Sequence, residues 1–161
     1  MVTSEEIWKE LETVMDPEVP VLSVLDLGVI RSVELDFPKL LIKITPTYSG
    51  CPAMKTIEED IFDRLKKFDG LEINVETVLH PAWTTDWLSE EGRKKLKMYG
   101  IAPPENEVDK SVLFAEAPVV PCPHCNSSDT RMISQFGSTS CKAHYKCNTC
   151  QEPFDYFKCL K

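Results

Sequence analysis

The chain has 161 residues, enough for one domain or for one domain plus a small module. Hydrophobic residues at 42% and charged residues at 27% are those of an ordinary globular protein and exclude a disordered or fibrous chain. Its 26 acids against 18 bases leave a net charge of −8, which repels phosphate backbones unless the positive residues are concentrated somewhere.

No apolar run approaches the length of a membrane span, so no membrane association is expected. The opening MVTSEEIWKELE carries acids where a targeting peptide would carry bases, which predicts a cytoplasmic protein. The charge is uneven. Residues 1–117 hold 13 Lys and Arg against 23 Asp and Glu, whereas residues 118–161 hold 5 against 3. Six of the seven cysteines also lie in that tail, so a second module is expected there.

In chain order, Thr3 to Met15 reads as a helix. Thr3 and Glu6 form a capping-box pattern, and Ile7, Leu11, Val14 and Met15 share a face. Asp16-Pro17 stops it, because proline disfavours helical geometry in the residue before it. A loop containing Asp26-Leu27-Gly28 follows. Ile30–Asp36 and Leu40–Thr45 then alternate apolar and polar residues around Phe37-Pro38-Lys39, as in a β-hairpin. From Cys51-Pro52, the residues Met54, Ile57, Ile61, Leu65 and Phe68 recur at helical spacing, with Asp69-Gly70 closing the helix. Leu71–Val78 alternates as a third strand, so the strand-helix-strand crossover predicts a mixed sheet. Ser89–Tyr99 reads as a short helix with acids in its first turn, lysines near its end and Gly100 just after. The fold class is α+β: a small mixed β-sheet with helices packed on it, plus a C-terminal zinc-ribbon module. The expected domains are 1–102 and 118–161, joined by a Pro- and acid-rich linker at 103–117.

The tail carries the strongest motif. Cys122-Pro-His-Cys125 and Cys147-Asn-Thr-Cys150 are paired CxxC knuckles at zinc-ribbon spacing. Two residues between thiolates let both sulfurs of a pair reach one ion, and four thiolates close a tetrahedral shell that holds structure and leaves no position open for catalysis. A module this small buries too little apolar surface to fold alone, so the metal would supply much of its folding free energy, roughly 10 kcal/mol or more for structural zinc. Disulfides are disfavoured in a cytosolic chain. A rubredoxin-like iron site uses the same spacing and stays open. Cys141, Cys159, His124 and His144 remain outside the two pairs, as small buried cysteines or substitute ligands. A nucleic-acid surface built from Lys142, Lys146, Lys158 and Lys161 with Phe154, Tyr156 and Phe157 is disfavoured, because strand aromatics in so small a module pack on the knuckles and the chain is acidic.

Cys51 stands outside the tail. It follows Ser-Gly and precedes a helix, where backbone amides would lower its pKa and make it a soft metal ligand or a nucleophile. A buried helix-start cysteine without chemistry is the other reading. Asp16, Glu18 and Asp26 are acids that loops use as caps and turn residues, and His80 is a strand-end histidine. No phosphate loop, dinucleotide fingerprint or nucleophile-base-acid spacing is present.

Asp16-Pro17-Glu18, Asp26-Leu27-Gly28, the segment TYSGCP at 47–52 and the helix EEDIFDRL resemble the SufT-like family of iron–sulfur assembly factors. PAWTTDWLSEEGRKKLKMYGIAPP and the cysteine-rich tail narrow the resemblance to the PaaD (PaaJ) family of accessory subunits encoded with the phenylacetyl-CoA epoxidase system. The resemblance implies a maturation factor that handles a transient iron or iron–sulfur cluster through Cys51, with Asp16, Glu18, Asp26 and Thr47 beside it. The implied clients are phenylacetyl-CoA epoxidase subunits or other iron proteins. One thiol cannot close a cluster's shell, so a homodimer or a second protein would supply the remaining ligands. A thiol-dependent enzyme, or an integral oxygenase subunit using Cys51, is the alternative. His144 departs from the apolar residue of close relatives.

Overall fold

The computed structural model describes residues 1–104 and 119–158 and divides into two compact units, Met1–Gly92 and Arg93–Lys161. Most of the expected linker, together with Cys159 and Lys161, lies outside the described residues. The units divide upstream of the expected boundary at 102, because Ile101–Ala102 join the C-terminal sheet.

In the first unit, α1 (Ser4–Leu11) begins at the capping box: the Glu6 amide donates to Thr3 Oγ1 at 3.3 Å, and the Thr3 amide donates to Glu6 Oε2 at 2.8 Å. The Thr3 amide and hydroxyl hold the Glu6 carboxyl below the usual range. Ile7 and Leu11 are buried. The helix ends four residues short of the expected Met15. Its last bonds tighten to the three-residue spacing, Thr13 N–H to Glu10 O and Val14 N–H to Leu11 O, while the Thr13 hydroxyl also donates to Glu10 O. The chain then straightens into a bridge between Met15 and Ser23, with Asp16 N–H on Leu22 O at 2.8 Å and Val24 N–H on Val14 O at 2.9 Å. Extended backbone turns Met15 outward, so it is exposed rather than on the core face with Val14.

The loop expected around Asp26-Leu27-Gly28 is instead a one-turn helix, α2 (Val24–Leu27). Ser23 and Asp26 cap it reciprocally, and Gly28 ends it at φ +71°. That capping pattern is present in the sequence, on a segment too short for helical periodicity to show.

The sheet has the order β1 (Ile30–Asp36), β2 (Lys39–Ile44), β3 (Glu72–Thr77). The first pair is the antiparallel hairpin, and β3 lies parallel to β2 after the crossover through α3 (Ala53–Leu65), so the sheet is mixed as expected. Central β2 buries Leu40, Ile42 and Ile44, and Ile7 and Leu11 of α1 with Ile57, Ile61 and Leu65 of α3 complete the core. Ile73, on edge strand β3, is only half-buried. A segment after β3, including a 3₁₀ turn at Thr85–Trp87, is tied to α2: Trp83 Nε1 donates to Leu27 O at 2.8 Å, and the Ser89 amide donates to Asp26 O at 2.9 Å. Arg31 stacks 3.8 Å above the Trp87 ring.

α4 (Glu90–Met98) begins in the first unit and continues in the second, followed by Gly100 at φ +87°. The second unit's sheet has the order β4 (Ile101–Ala102), β7 (Pro153–Phe157), β6 (Lys142–Cys147), β5 (Thr130–Ser134). β4 is parallel to β7, and the other pairs are antiparallel. Its core joins Ala102, Val120, Ala143, Tyr145, Phe154 and Tyr156 to Cys122 and Cys147. Tyr145 stacks on Phe154 and meets Tyr156 edge-on, each at 5.7 Å between centroids. Phe154 and Tyr156 thus pack in one cluster with the knuckle cysteines, Phe157 is buried too, and the tail's exposed apolar residues include Met132, Ile133 and Phe136. Among the described residues no helix is long and apolar enough to cross a membrane.

Candidate functional site

The two knuckles repeat one local geometry. Cys122 N–H donates to Ser127 O at 2.9 Å, and Cys147 N–H donates to Glu152 O at 3.0 Å. The residue after each second cysteine turns left-handed, Asn126 at φ 61° and Gln151 at φ 66°. These reversals fold each CxxC back on itself, and the β5–β6 and β6–β7 ladders bring the two pairs together. The four Sγ atoms of Cys122, Cys125, Cys147 and Cys150 lie within 4.8 Å of one another. The closest approaches are Cys122–Cys150 at 3.7 Å and Cys125–Cys147 at 3.6 Å. A tetrahedral shell with Zn–S bonds of about 2.3 Å has S···S edges of about 3.8 Å, so this cage fits zinc.

The cage's own electrostatics ask for a cation. The Cys150 amide, 3.5 Å from Cys147 Sγ, leads the contacts that pull the Cys147 thiol down to about 6. The Glu152 amide pulls on Cys150 as well, but desolvation and the three neighbouring sulfurs outweigh it and push that thiol up to about 12. The Cys147 thiolate forms readily and Cys150 beside it then resists ionising; a divalent ion removes that repulsion. Cys122 and Cys147 are buried, Cys150 half-buried and Cys125 exposed, so the cage sits at the module's surface.

The remaining tail residues stand apart from this cage. Among the described residues the metal-binding group contains only the four cysteines. His144 is directly opposite Asp155, with Nδ1 3.4 Å from Oδ1, which accounts for a polar residue on that strand. Cys141 is buried with the Thr139 hydroxyl at 3.1 Å. His124 is exposed, near Gly100.

In the first unit, Cys51 is half-buried at the start of α3, one residue before Pro52. The expected lowering of its pKa is overturned: burial pushes the thiol up. The Ala53 amide and the Thr47 and Tyr48 hydroxyls pull it down, as a helix start should, but desolvation outweighs them and the Glu18 carboxylate adds to the rise. Thr47 Oγ1 is 4.0 Å from Sγ, a long contact. Tyr48 is the neighbour that sequence reading passes over, although it lies inside the TYSGCP segment.

The three acids have different surroundings. Asp16 is buried, and its Oδ1 accepts the amides of Glu18 at 2.8 Å and Val19 at 2.6 Å. It thereby holds the turn that carries Glu18, the acid whose charge reaches Cys51. Asp26 is also buried; one oxygen accepts the Ser23 amide at 3.0 Å and the other the Ser89 hydroxyl at 3.1 Å. Its visible role is to fasten the segment after β3 onto α2. His80 is exposed.

Comparison with known proteins agrees with both units. The iron–sulfur cluster assembly protein family matches residues 4–77, and the PaaD zinc beta ribbon domain family matches residues 106–158. A protein of Escherichia coli K12 described as a component of 1,2-phenylacetyl-CoA epoxidase is 45% identical over 96% of this chain and 92% of its own. A Porphyromonas gingivalis protein described as an Fe-S protein maturation auxiliary factor is 34% identical over 58% of this chain and 90% of its own. Among solved structures, a DUF59 domain of unknown function from Bacillus anthracis is 28% identical at a TM-score of 0.53, covering 57% of this chain and 89% of its own. A conserved hypothetical protein of Thermotoga maritima is 31% identical at a TM-score of 0.51, covering 59% and 94% respectively. A thiol-bearing α+β unit that matches the iron–sulfur cluster assembly family, followed by a four-cysteine ribbon that matches the PaaD zinc beta ribbon and aligned along nearly the whole length of a relative, places the chain in the PaaD family.

Proposed function

We propose that this protein is a maturation factor for a phenylacetyl-CoA epoxidase, or for a related iron protein, and that Cys51 presents iron or an iron–sulfur cluster to that client. The observation that carries the reading is the meeting of one soft sulfur with oxygen groups at the start of α3: Cys51 with Thr47, Tyr48 and the Glu18 carboxylate. The relatives described as an epoxidase component and as an Fe-S maturation factor support the direction. A thiol kept neutral at rest resists oxidation. When the cation arrives, the S–H bond breaks, the sulfur–metal bond forms and the proton passes to solvent. Only one thiol is available there, so the client or a second copy completes the shell and can draw the cargo away. The zinc cage is structural in this reading, holding the tail folded.

The enzyme alternative loses ground on the same observation, because a catalytic thiol is ordinarily activated by a lowered pKa and this one is raised. The test is co-expression of the epoxidase with the wild-type protein, with Cys51→Ser, and without either, followed by iron analysis of each epoxidase subunit. Iron content should fall in the last two cases while the variant keeps its zinc and its melting temperature. Full iron loading with the variant overturns the role of Cys51, and full loading without the protein overturns maturation altogether.

A further inference from the structure

Among the described residues, β3 is an outer strand of the first unit's sheet, paired with β2 on one side and unpaired on the other. The Glu72 amide donates to Pro38 O at 2.7 Å and the Val78 amide to Ile44 O at 2.8 Å. Alternate residues of a strand turn their amides to the same side, so Glu72, Asn74, Glu76 and Val78 serve the ladder with β2, and Ile73, Val75 and Thr77 direct theirs outward. The register sets these last three beside Leu40, Ile42 and Ile44, so their side chains lie on the face that carries α3. That helix covers β3 incompletely. The Thr77 hydroxyl donates to Glu58 Oε1 at 2.9 Å, but Ile73 and Val75 are only half-buried and Phe62 is 48% exposed.

Between α3 and β3 runs a groove of about 400 Å³ lined by Glu58, Glu59, Phe62, Asp63 and Val75. Its helix wall carries three acids around the Phe62 ring, and among the described residues no base lines it. Lys55 and Lys66 stand 4.0 Å from Glu59 and 2.8 Å from Asp63 on the exposed helix surface, pairs of a kind that contribute little and exchange readily. Shortness and charge are the ordinary protection of a sheet edge, and they account for a six-residue strand bearing Glu72 and Glu76. They leave Phe62 and Val75, half open to water beside it, unexplained. A groove next to an open strand edge is the arrangement by which a sheet takes up an extended peptide: the backbone extends the ladder and alternate side chains enter the groove. A second copy fits poorly, because β3 added to β3 would bring two acidic walls together. A basic segment is complementary to that wall.

We propose that the β3 edge and its groove dock an extended segment of the client, with an apolar side chain over Phe62 and Val75 and Lys or Arg side chains toward Glu59 and Asp63. The proposal rests on the maturation reading, with an epoxidase subunit supplying the segment. The wall is the same α3 whose first turn follows Cys51, and Glu58 stands about 8 Å along its axis from Ala53 at 1.5 Å per residue. A segment held there lies near the thiol that serves the client.

The experiment measures amide hydrogen exchange in the zinc-loaded full-length protein, alone and with each purified epoxidase subunit, and the affinity at low and high salt. One subunit should bind, more weakly as salt rises, and should slow exchange at Ile73, Val75 and Thr77 by about tenfold or more while Asn74 and Glu76, already bonded to β2, change little. Glu59→Lys with Asp63→Lys should weaken binding by about tenfold or more. Val75→Pro removes an outward amide and no bond to β2, so it should weaken binding well beyond Val75→Ala, which keeps that amide. Circular dichroism and melting temperature confirm that each variant is folded. Binding without protection of the outward amides, or with an affinity indifferent to the charge reversal, overturns the docking site and leaves the maturation reading standing. Docking as expected, with the epoxidase fully loaded with iron when this protein is absent, overturns maturation and leaves the docking site. Failure to bind any epoxidase subunit overturns the proposal. Protection of the same amides that sets in with protein concentration alone assigns the edge to a second copy and overturns it as well.

Discussion

Gly28 and Gly50 share a left-handed backbone, at φ +71° and φ +78°, yet their surroundings separate them. A Cβ on Gly28 would stand 2.4 Å from Trp87 O, whereas one on Gly50 would meet nothing within 4 Å. Gly50→Ala should therefore cost only the left-handed penalty, about 1 kcal/mol, and Gly28→Ala should cost about 2 to 4 kcal/mol because the Trp87 backbone must move. Urea unfolding of the two variants checks the difference; equal costs would mean that the segment after β3 does not press on α2. At Cys51 the direction of the pKa shift has a kinetic consequence. Alkylation by iodoacetamide near neutral pH should be slower than for an unhindered, ordinary thiol, and its rate should keep rising at pH values where a free thiol has levelled off. Glu18→Gln removes a charge that disfavours the thiolate, so it should speed alkylation at fixed pH and shift the profile toward lower pH.

The short elements depend on caps more than on propensity. α2 has four residues, far below the length at which an isolated helix is stable, so the Ser23–Asp26 box, Gly28 and the Ser89 contact carry it. Asp26→Ala leaves the buried Ser23 amide and the Ser89 hydroxyl without their acceptor and should destabilise the first unit by about 2 to 3 kcal/mol. Denaturant midpoints measure this, and a change under about 0.5 kcal/mol would count against Asp26 as a fastener. Thr3→Ala, at an exposed helix start, should cost nearer to about 1 kcal/mol.

The whole molecule has two sources of stability. The first unit has an apolar core of helix and sheet residues, while the second concentrates its core around the cysteine cage. Elemental analysis should find about one zinc per chain, since one four-thiolate cage fills one tetrahedral site. A strong chelator should then unfold the ribbon, abolishing the near-ultraviolet dichroism of the stacked Tyr145, while the first unit keeps its far-ultraviolet signal. Acid should imitate the chelator, because protons compete with the metal for sulfur. A metal-free chain with a folded ribbon would contradict this account.

The order of the main elements was legible because their signals are local. Ile57, Ile61 and Leu65 repeat at helical spacing, the strands alternate, and two CxxC pairs announce a four-thiolate metal site by spacing alone. The early end of α1 and the existence of α2 were not legible from periodicity, since both depend on hydrogen bonds between Val14–Asp16 and Leu22–Val24. β4 escaped for a similar reason: two residues have no pattern of their own, and Ile101–Ala102 become a strand only beside β7. At the thiol site the sequence determined that Cys51 precedes a helix. Tertiary structure alone decided how it titrates, because helix-start amides act over neighbouring residues, while burial and the charge of Glu18 come from parts of the chain that only folding brings near.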